Sequence, residues 1–221
     1  MDMNAARISA PWSIGACGKE SIIPAQGALL RSNVLQLRDP GVRTVVLVEG
    51  ISDRIALETL AARIGRDLTA EGVSVVPIGG AHAIGRFLGL LDSDVRPLGL
   101  CDVGEERDFQ RALERAGLGT DLTRVEMERL GFYVCVADLE DELIRALGAE
   151  SVEELLAAQG DLRSFRTLQH QPAWHGRTRE EQLRRFMGSG GRRKIRYARL
   201  LVEALDLRRA PRPLSRLLAH L

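Results

Sequence analysis

Four short, strongly apolar runs alternate along the chain with stretches of helical periodicity. Thr44-Val-Val-Leu-Val48 is a β-branched run of the kind that forms a strand buried on both faces. It stops at Glu49-Gly50, where Ser52 is a suitable helix N-cap. Ile55, Leu57, Leu60, Ala61 and Ile64 then recur at helical spacing before Gly65. Val73 to Ile78 repeats the strand pattern and ends at Gly79-Gly80. The helix after it carries Ile84, Phe87, Leu88 and Leu91. Pro97 to Cys101 reads as a third strand ending at Asp102, with a helix from about Glu105 to Ala116. Phe132 to Val136 is a fourth, running through Ala137 to Asp138, with Leu139 to Leu147 helical.

Strands that alternate with helices predict an α/β fold: a mostly parallel four-stranded sheet flanked by helices, with right-handed crossovers. Pro77 cannot donate to a ladder, so the second strand is expected near an edge. Beyond Gly148 the pattern is wholly helical. Ser151 to Ala158 opens with a Ser-x-x-Glu capping box, Gly188-Ser-Gly-Gly191 reads as a flexible turn, Ile195 to Leu207 is amphipathic, and one more short helix follows Pro211. Residues 1–43 hold no sustained period. The expected organisation is a loosely ordered extension (1–43), an α/β domain (44–147) and a basic helical C-terminal region (148–221).

Charge sharpens this division. The net charge of +1 is a balance between 25 acidic and 16 basic residues in 1–160 and 5 acidic and 15 basic residues in 161–221. An acidic body can supply metal ligands while a basic tail meets phosphate, although charge runs often form nothing more than solvated faces. Arg184, Arg185, Arg192, Arg193, Lys194, Arg196 and Arg199 follow one another with no acid between them. No run of about 18 apolar residues predicts a membrane span, and Met1 to Ile23 lacks the apolar core of a secretory signal, so a cytoplasmic protein is expected. Cys17, Cys101 and Cys135 show no CxxC spacing and the four histidines are scattered, which argues against a zinc site. Without a G-x-S-x-G motif, Cys101 and Cys135 are expected to be packing residues.

In an open parallel sheet, ligands bind at the carboxyl ends of the strands. Three strands here lead into acids: Val48 into Glu49, Cys101 into Asp102 and Ala137 into Asp138. With Asp53 opening the first helix, topology alone puts several carboxylates on one rim. Such a group is costly unless a cation joins it, and Mg²⁺ is the natural choice for oxygen donors. The bland alternative is that each acid caps the helix that follows it.

At these positions the chain resembles a known family. Val45 to Leu60 (V-V-L-V-E-G-I-S-D-R-I-A-L-E-T-L) is similar to the first motif of Toprim domains, in the version of the OLD (overcoming lysogenization defect) nucleases. Gly79-Gly80, Leu98-Gly-Leu-Cys-Asp102 and Asp138-Leu-Glu140-Asp-Glu142 resemble the later motifs in their order. The resemblance implies a Toprim-like fold and metal-dependent cleavage or nicking of nucleic acid, DNA before RNA, with Mg²⁺ or Mn²⁺. It implies Glu49 as metal ligand or general acid/base, Asp53 and Asp102 as ligands, and Glu140 with Asp138 at a second metal position. Two such metals about 3.5–4 Å apart would serve in-line displacement. Lys194 is implied as a catalytic cation, and Arg184, Arg185, Arg192, Arg193 and Arg196 as nucleic-acid contacts.

Two departures stand out. The Toprim D-x-D reads Asp102-Val103-Gly104, so its second carboxylate is missing and Glu105, Glu106 or Glu140 is left to supply the charge. OLD nucleases typically join an ATPase to this domain, but the chain has no GxxxxGK[ST], so an ATPase would act as a partner in trans. One rival is a catalytically silent Toprim-like scaffold that binds nucleic acid or a partner. Another is a nucleotide-binding α/β domain using Gly79, Gly80 and Gly85, although their spacing is not GxGxxG. Trp12 and Trp174 sit in no aromatic pattern suited to base stacking.

Overall fold

The computed structural model describes residues 36–37 and 39–221. Most of the expected extension, Cys17 and Trp12 included, lies outside the described residues. Four strands, β1 (Thr44–Val48), β2 (Val73–Pro77), β3 (Arg96–Asp102) and β4 (Phe132–Cys135), form one parallel sheet in the order β2-β1-β3-β4. The sheet is wholly parallel, and the proline-bearing β2 lies at an edge. The register pairs Val48 with both Pro77 and Leu100, and Asp102 with Cys135, so the strand ends that carry the acids share one rim.

Side chains on a strand alternate between faces, and both faces here are covered. Val46, Val48, Leu98, Leu100, Tyr133 and Cys135 enter one buried cluster with α1 (Ile51–Arg63), α5 (Leu139–Leu147) and the C-terminal helices. Val45, Leu47, Cys101, Phe132 and Val134 enter the other, against α2 (Ile84–Leu88), α3 (Glu106–Arg115) and α4 (Arg124–Arg129). Beyond them run α6 (Ala149–Ala158), α7 (Leu162–Gln169), α8 (Arg179–Gly188), α9 (Gly191–Ala204) and α10 (Arg212–His220).

Several boundaries differ from the pattern, each for a local reason. Helix α1 begins after Gly50, not Ser52, because the Asp53 carboxylate reaches back to accept the Gly50 N–H at 2.7 Å. Ser52 is therefore helical. Helix α6 starts at Ala149: Gly148, at φ 85°, breaks the chain from α5, and Ser151 lies inside the helix rather than capping it. Strand β4 stops at Cys135 because the Val136 N–H donates to Glu142 Oε1 at 2.8 Å instead of joining the ladder. Helix α9 starts four residues earlier than expected, at Gly191, which puts Lys194 in its first turn. Helix α4 was not expected, although Thr123-x-x-Glu126 forms a capping box there, with Glu126 Oε2 accepting the Thr123 N–H at 2.7 Å.

Helix α9 packs along α1, and the two run in the same direction: Lys194 in the first turn of α9 acts on Asp53 in the first turn of α1, and Arg63 at the end of α1 reaches the end of α9. At their far ends Arg63 donates to the carbonyls of Val202 and Leu205, both at 2.7 Å, which ties the end of α1 to the end of α9. Their N-termini consequently meet at the rim of the sheet. That packing brings a basic helix over an acidic strand edge.

Candidate metal centre

Glu49 follows β1 and Asp102 ends β3, the adjacent strand. The Asp102 N–H donates to Glu49 Oε1 at 2.8 Å, which turns the Glu49 side chain across the strand ends. The Glu49 main chain is held as well: its carbonyl accepts the N–H groups of Gly79 at 3.0 Å and Gly80 at 3.3 Å. Those glycines sit at φ 79° and 119°, which side-chain-bearing residues rarely adopt. Their amides are thus spent on Glu49 rather than presented to a phosphate, and the helix beyond them, α2, has only 5 residues. This geometry disfavours the nucleotide-binding alternative.

After Asp102 the chain makes a short 3₁₀ turn, Val103–Glu105, which swings Glu105 back towards the rim. One carboxylate oxygen each from Glu49, Asp102 and Glu105 lies within 4.8 Å of the others. Glu105 occupies the role left open by Gly104: a third carboxylate, supplied one turn later than the missing aspartate. The sequence offers Glu105 as one of three acids for that role, and the turn that aims it carries no clear sequence signature.

The other acids stand around this trio. Asp53 is buried and holds the Gly50 N–H. Glu140 is buried on α5, and its Oε2 meets Lys194 Nζ at 3.4 Å. Asp138 caps α5 by accepting the Asp141 N–H at 2.8 Å, and its other oxygen meets Arg184 Nε at 2.5 Å. The two acids expected at a second metal position are therefore each faced by a cation of the protein itself. The helix-capping reading of the rim acids holds locally for Asp138 and Asp53, whereas Glu49 caps no helix.

The electrostatics agree with a cation-seeking cluster. Burial, reinforced by the hydrogen bond to Glu105, pushes Glu49 up to about 8 against the pull of the Asp102 N–H. Burial and then the charges of Glu49 and Asp53 push Asp102 up to about 8. Burial raises Asp53 to about 6 and Glu140 to about 7, in both cases with Lys194 pulling the other way. Burial drags Lys194 down, but Glu140, Asp53 and Asp102 together outweigh it and hold the ammonium above its ordinary value. Glu105 Oε2 and Glu140 Oε1 are buried with no hydrogen-bond partner. Orphaned carboxylate oxygens of this kind fit a hard divalent cation, which takes oxygen ligands and offsets the repulsion.

The basic run is less uniform than its sequence. Arg184 pairs with Asp138, Arg193 lies 4.1 Å from the Phe186 ring centroid, and Arg196 bridges to Asp161 at 3.2 Å. Arg185 lies over the Trp174 ring at 5.8 Å, and Arg192 is exposed. Cys101 and Cys135 are free and buried, and burial pushes both thiols up, away from reactivity.

Residues 42–101 match the family model described as "Overcoming lysogenization defect protein-like, TOPRIM domain". The match covers β1 to the penultimate residue of β3 and stops one residue before Asp102. No curated protein matches the sequence. Among solved structures, the C-terminal region of the Xanthomonas campestris pv. campestris OLD protein, phased with platinum, superposes with a TM-score of 0.61 at 22% identity. It covers 81% of this chain and 91% of that one. The C-terminal region of the Burkholderia pseudomallei OLD protein gives 0.59 at 18% identity, over 81% and 96%. The chain thus resembles the OLD-type Toprim domain in its first motifs and shares the fold of these C-terminal regions, helical end included.

Proposed function

We propose that the chain cleaves or nicks nucleic acid, DNA in the first instance, using one divalent cation held by Glu49, Asp102 and Glu105. The observation that carries this reading is the trio of carboxylate oxygens within 4.8 Å of one another, one of its members ending in a buried, unpartnered oxygen. Mg²⁺, with Mn²⁺ as a substitute, would supply Lewis-acid polarisation of a phosphoryl oxygen. Hydrolysis puts a water oxygen on phosphorus and releases one flanking sugar oxygen, so negative charge grows on the phosphate and on the leaving group. Lys194 stands beside Glu140 in the first turn of α9, where its ammonium can offset that charge. Asp53 supports the site from behind by fixing Gly50, and with it the start of α1.

Glu140 and Asp138 offer a second cation position, from which Lys194 and Arg184 would have to withdraw. Arg185 and Arg192 are the members of the basic run best free to meet a backbone phosphate. An ATPase acting in trans extends the same reading. No helix among the described residues is long and apolar enough to cross a membrane. We place the activity in the cytoplasm, where nucleic acid and Mg²⁺ meet.

The test is nicking of supercoiled plasmid by wild type, Glu49→Ala and Asp102→Ala, with Mg²⁺, Mn²⁺ or EDTA. Metal-dependent nicking lost in both variants supports the reading. Inactivity of the wild type with both metals would leave the scaffold reading, and salt-sensitive binding of DNA in EDTA would then be its signature.

A further inference from the structure

We propose that the cavity beside Asp138 is a subsite for one unpaired nucleotide of the substrate strand, with Trp174 as its stacking surface and Arg177 and Arg185 as its phosphate contacts. The inference rests on the nucleic-acid reading above and narrows its substrate class. The cavity, of about 370 Å³, is lined by Trp174, Arg177, Arg184, Arg185 and Glu181, and by Asp138 of the acidic rim. It lies on the side of the rim that Asp138 marks: Arg184, in its lining, is bonded to Asp138 and within the electrostatic reach of Asp102.

Three features suit it to a nucleotide. The first is a fixed aromatic surface. Trp174 is half-buried against the main core, and its carbonyl accepts from Gln182 Nε2 at 2.8 Å. Gln182 is itself buried, and its Oε1 accepts from Gln169 Nε2 at 2.7 Å, so the segment bearing the ring is held before any ligand arrives. The second is surplus positive charge. Arg177, Arg184 and Arg185 face Glu181 and Asp138; Arg177 lies 3.6 Å from Glu181, Arg184 takes Asp138, and Arg185 makes no ion pair among the described residues. The third is the position of Arg185 beside the ring, 5.8 Å from its centroid, which sets a phosphate contact next to the stacking surface. A duplex buries its base faces in its own stack. Only an unpaired nucleotide, at a flap, gap or frayed end, can present one to this cavity.

The experiment uses the full chain in EDTA, so that no strand is cut, in a Trp12→Phe background that leaves Trp174 as the only indole. A short single-stranded oligodeoxythymidylate is expected to quench the indole emission saturably, whereas a blunt duplex of the same length leaves it unchanged. Trp174→Ala should weaken single-strand binding by about tenfold, within the range for loss of one stacked base, while Trp174→Phe retains most of it. Mn²⁺ affinity should not change in either variant. Emission unaffected by single strand, equal quenching by duplex, or undiminished binding by Trp174→Ala would overturn the subsite. If Trp174→Ala does not fold, the quench itself and the ratio of Trp174→Phe to Arg185→Ala binding decide the matter. Plasmid nicking reports separately: quenching without nicking removes the cleavage reading and keeps the subsite, and nicking without quenching does the reverse.

Discussion

The N–H of Asp102 donates to Glu49 Oε1 at 2.8 Å, so the acid after β1 is held by the backbone of the acid that ends β3. One oxygen of Glu49 is thereby fixed while its carboxyl lies close to that of Glu105. Three carboxylates in such contact are stable without a cation only if they share protons, and a cation displaces those protons when it binds.

The first prediction concerns Glu105. Glu105→Gln should weaken Mn²⁺ binding, followed by calorimetry, at least as much as the ~10–100-fold typical for loss of an outer-shell partner. The neighbouring Glu106→Gln is the control, since Glu106 is engaged with Arg124 and is not one of the trio. Equal affinities for the two variants would remove Glu105 from the site.

The second concerns pH. Glu49 and Asp102 both stand at about 8 in the folded chain, against ordinary values of 4.5 and 3.8. The folded state therefore holds protons that the unfolded state has released. Stability from these groups is greatest below about pH 4 and falls as pH rises towards 8, above which it levels off. In EDTA, Tm should decline between pH 5 and 8, and Glu49→Gln with Asp102→Asn should flatten the decline. Added Mn²⁺ should raise Tm most at the alkaline end, where protons no longer compete. A flat wild-type profile in EDTA would mean that the trio is hydrated rather than buried.

Much of this was legible in the sequence, and the reason is strand alternation. β1 and β3 carry so many apolar residues that their ends, and with them Glu49 and Asp102, were located almost to the residue. What remained hidden depends on tertiary contacts. The turn that aims Glu105 is fixed by the path from β3 into α3, and Lys194 comes near Asp53 only because α9 packs along α1. Trp174 is isolated in the sequence but lines a cavity with arginines, which no local pattern announces. Asp138 illustrates the converse. Its place at a strand end was visible, but the Arg184 that occupies it lies 46 residues away.

The third prediction tests how the rim is spaced. Gly99 lies in the middle of β3, and a Cβ there would come within 2.5 Å of the Phe132 ring on β4 and 3.2 Å of the Leu47 carbonyl on β1. Gly99→Ala must push neighbouring strands apart, at a cost of about 1–3 kcal/mol. Urea unfolding should show the loss. Because Asp102 is three residues further along the same strand, Mn²⁺ affinity should fall with it. Unchanged stability would mean that Phe132 swings aside freely.

The last prediction concerns Lys194 and Glu140, 3.4 Å apart, with Glu140 Oε1 already lacking a partner. Lys194→Ala leaves a buried carboxylate with no counter-charge, which costs about 1–3 kcal/mol. The cost should depend on pH in a defined direction. With Lys194 present, burial already raises Glu140 to about 7 against the ammonium's pull, so removing the ammonium moves it higher still. At pH 5.5 Glu140 is then protonated in the folded variant and the loss is small; at pH 8.5 the charge or the bound proton must be sustained and the loss is full. The double variant Lys194→Ala/Glu140→Gln should recover most of the stability lost at pH 8.5, because neither charge remains. Urea unfolding of the four proteins at both pH values gives the coupling directly. Strict additivity at pH 8.5 would show that the two groups do not interact, and with it would go the argument that Lys194 is held at the rim by Glu140.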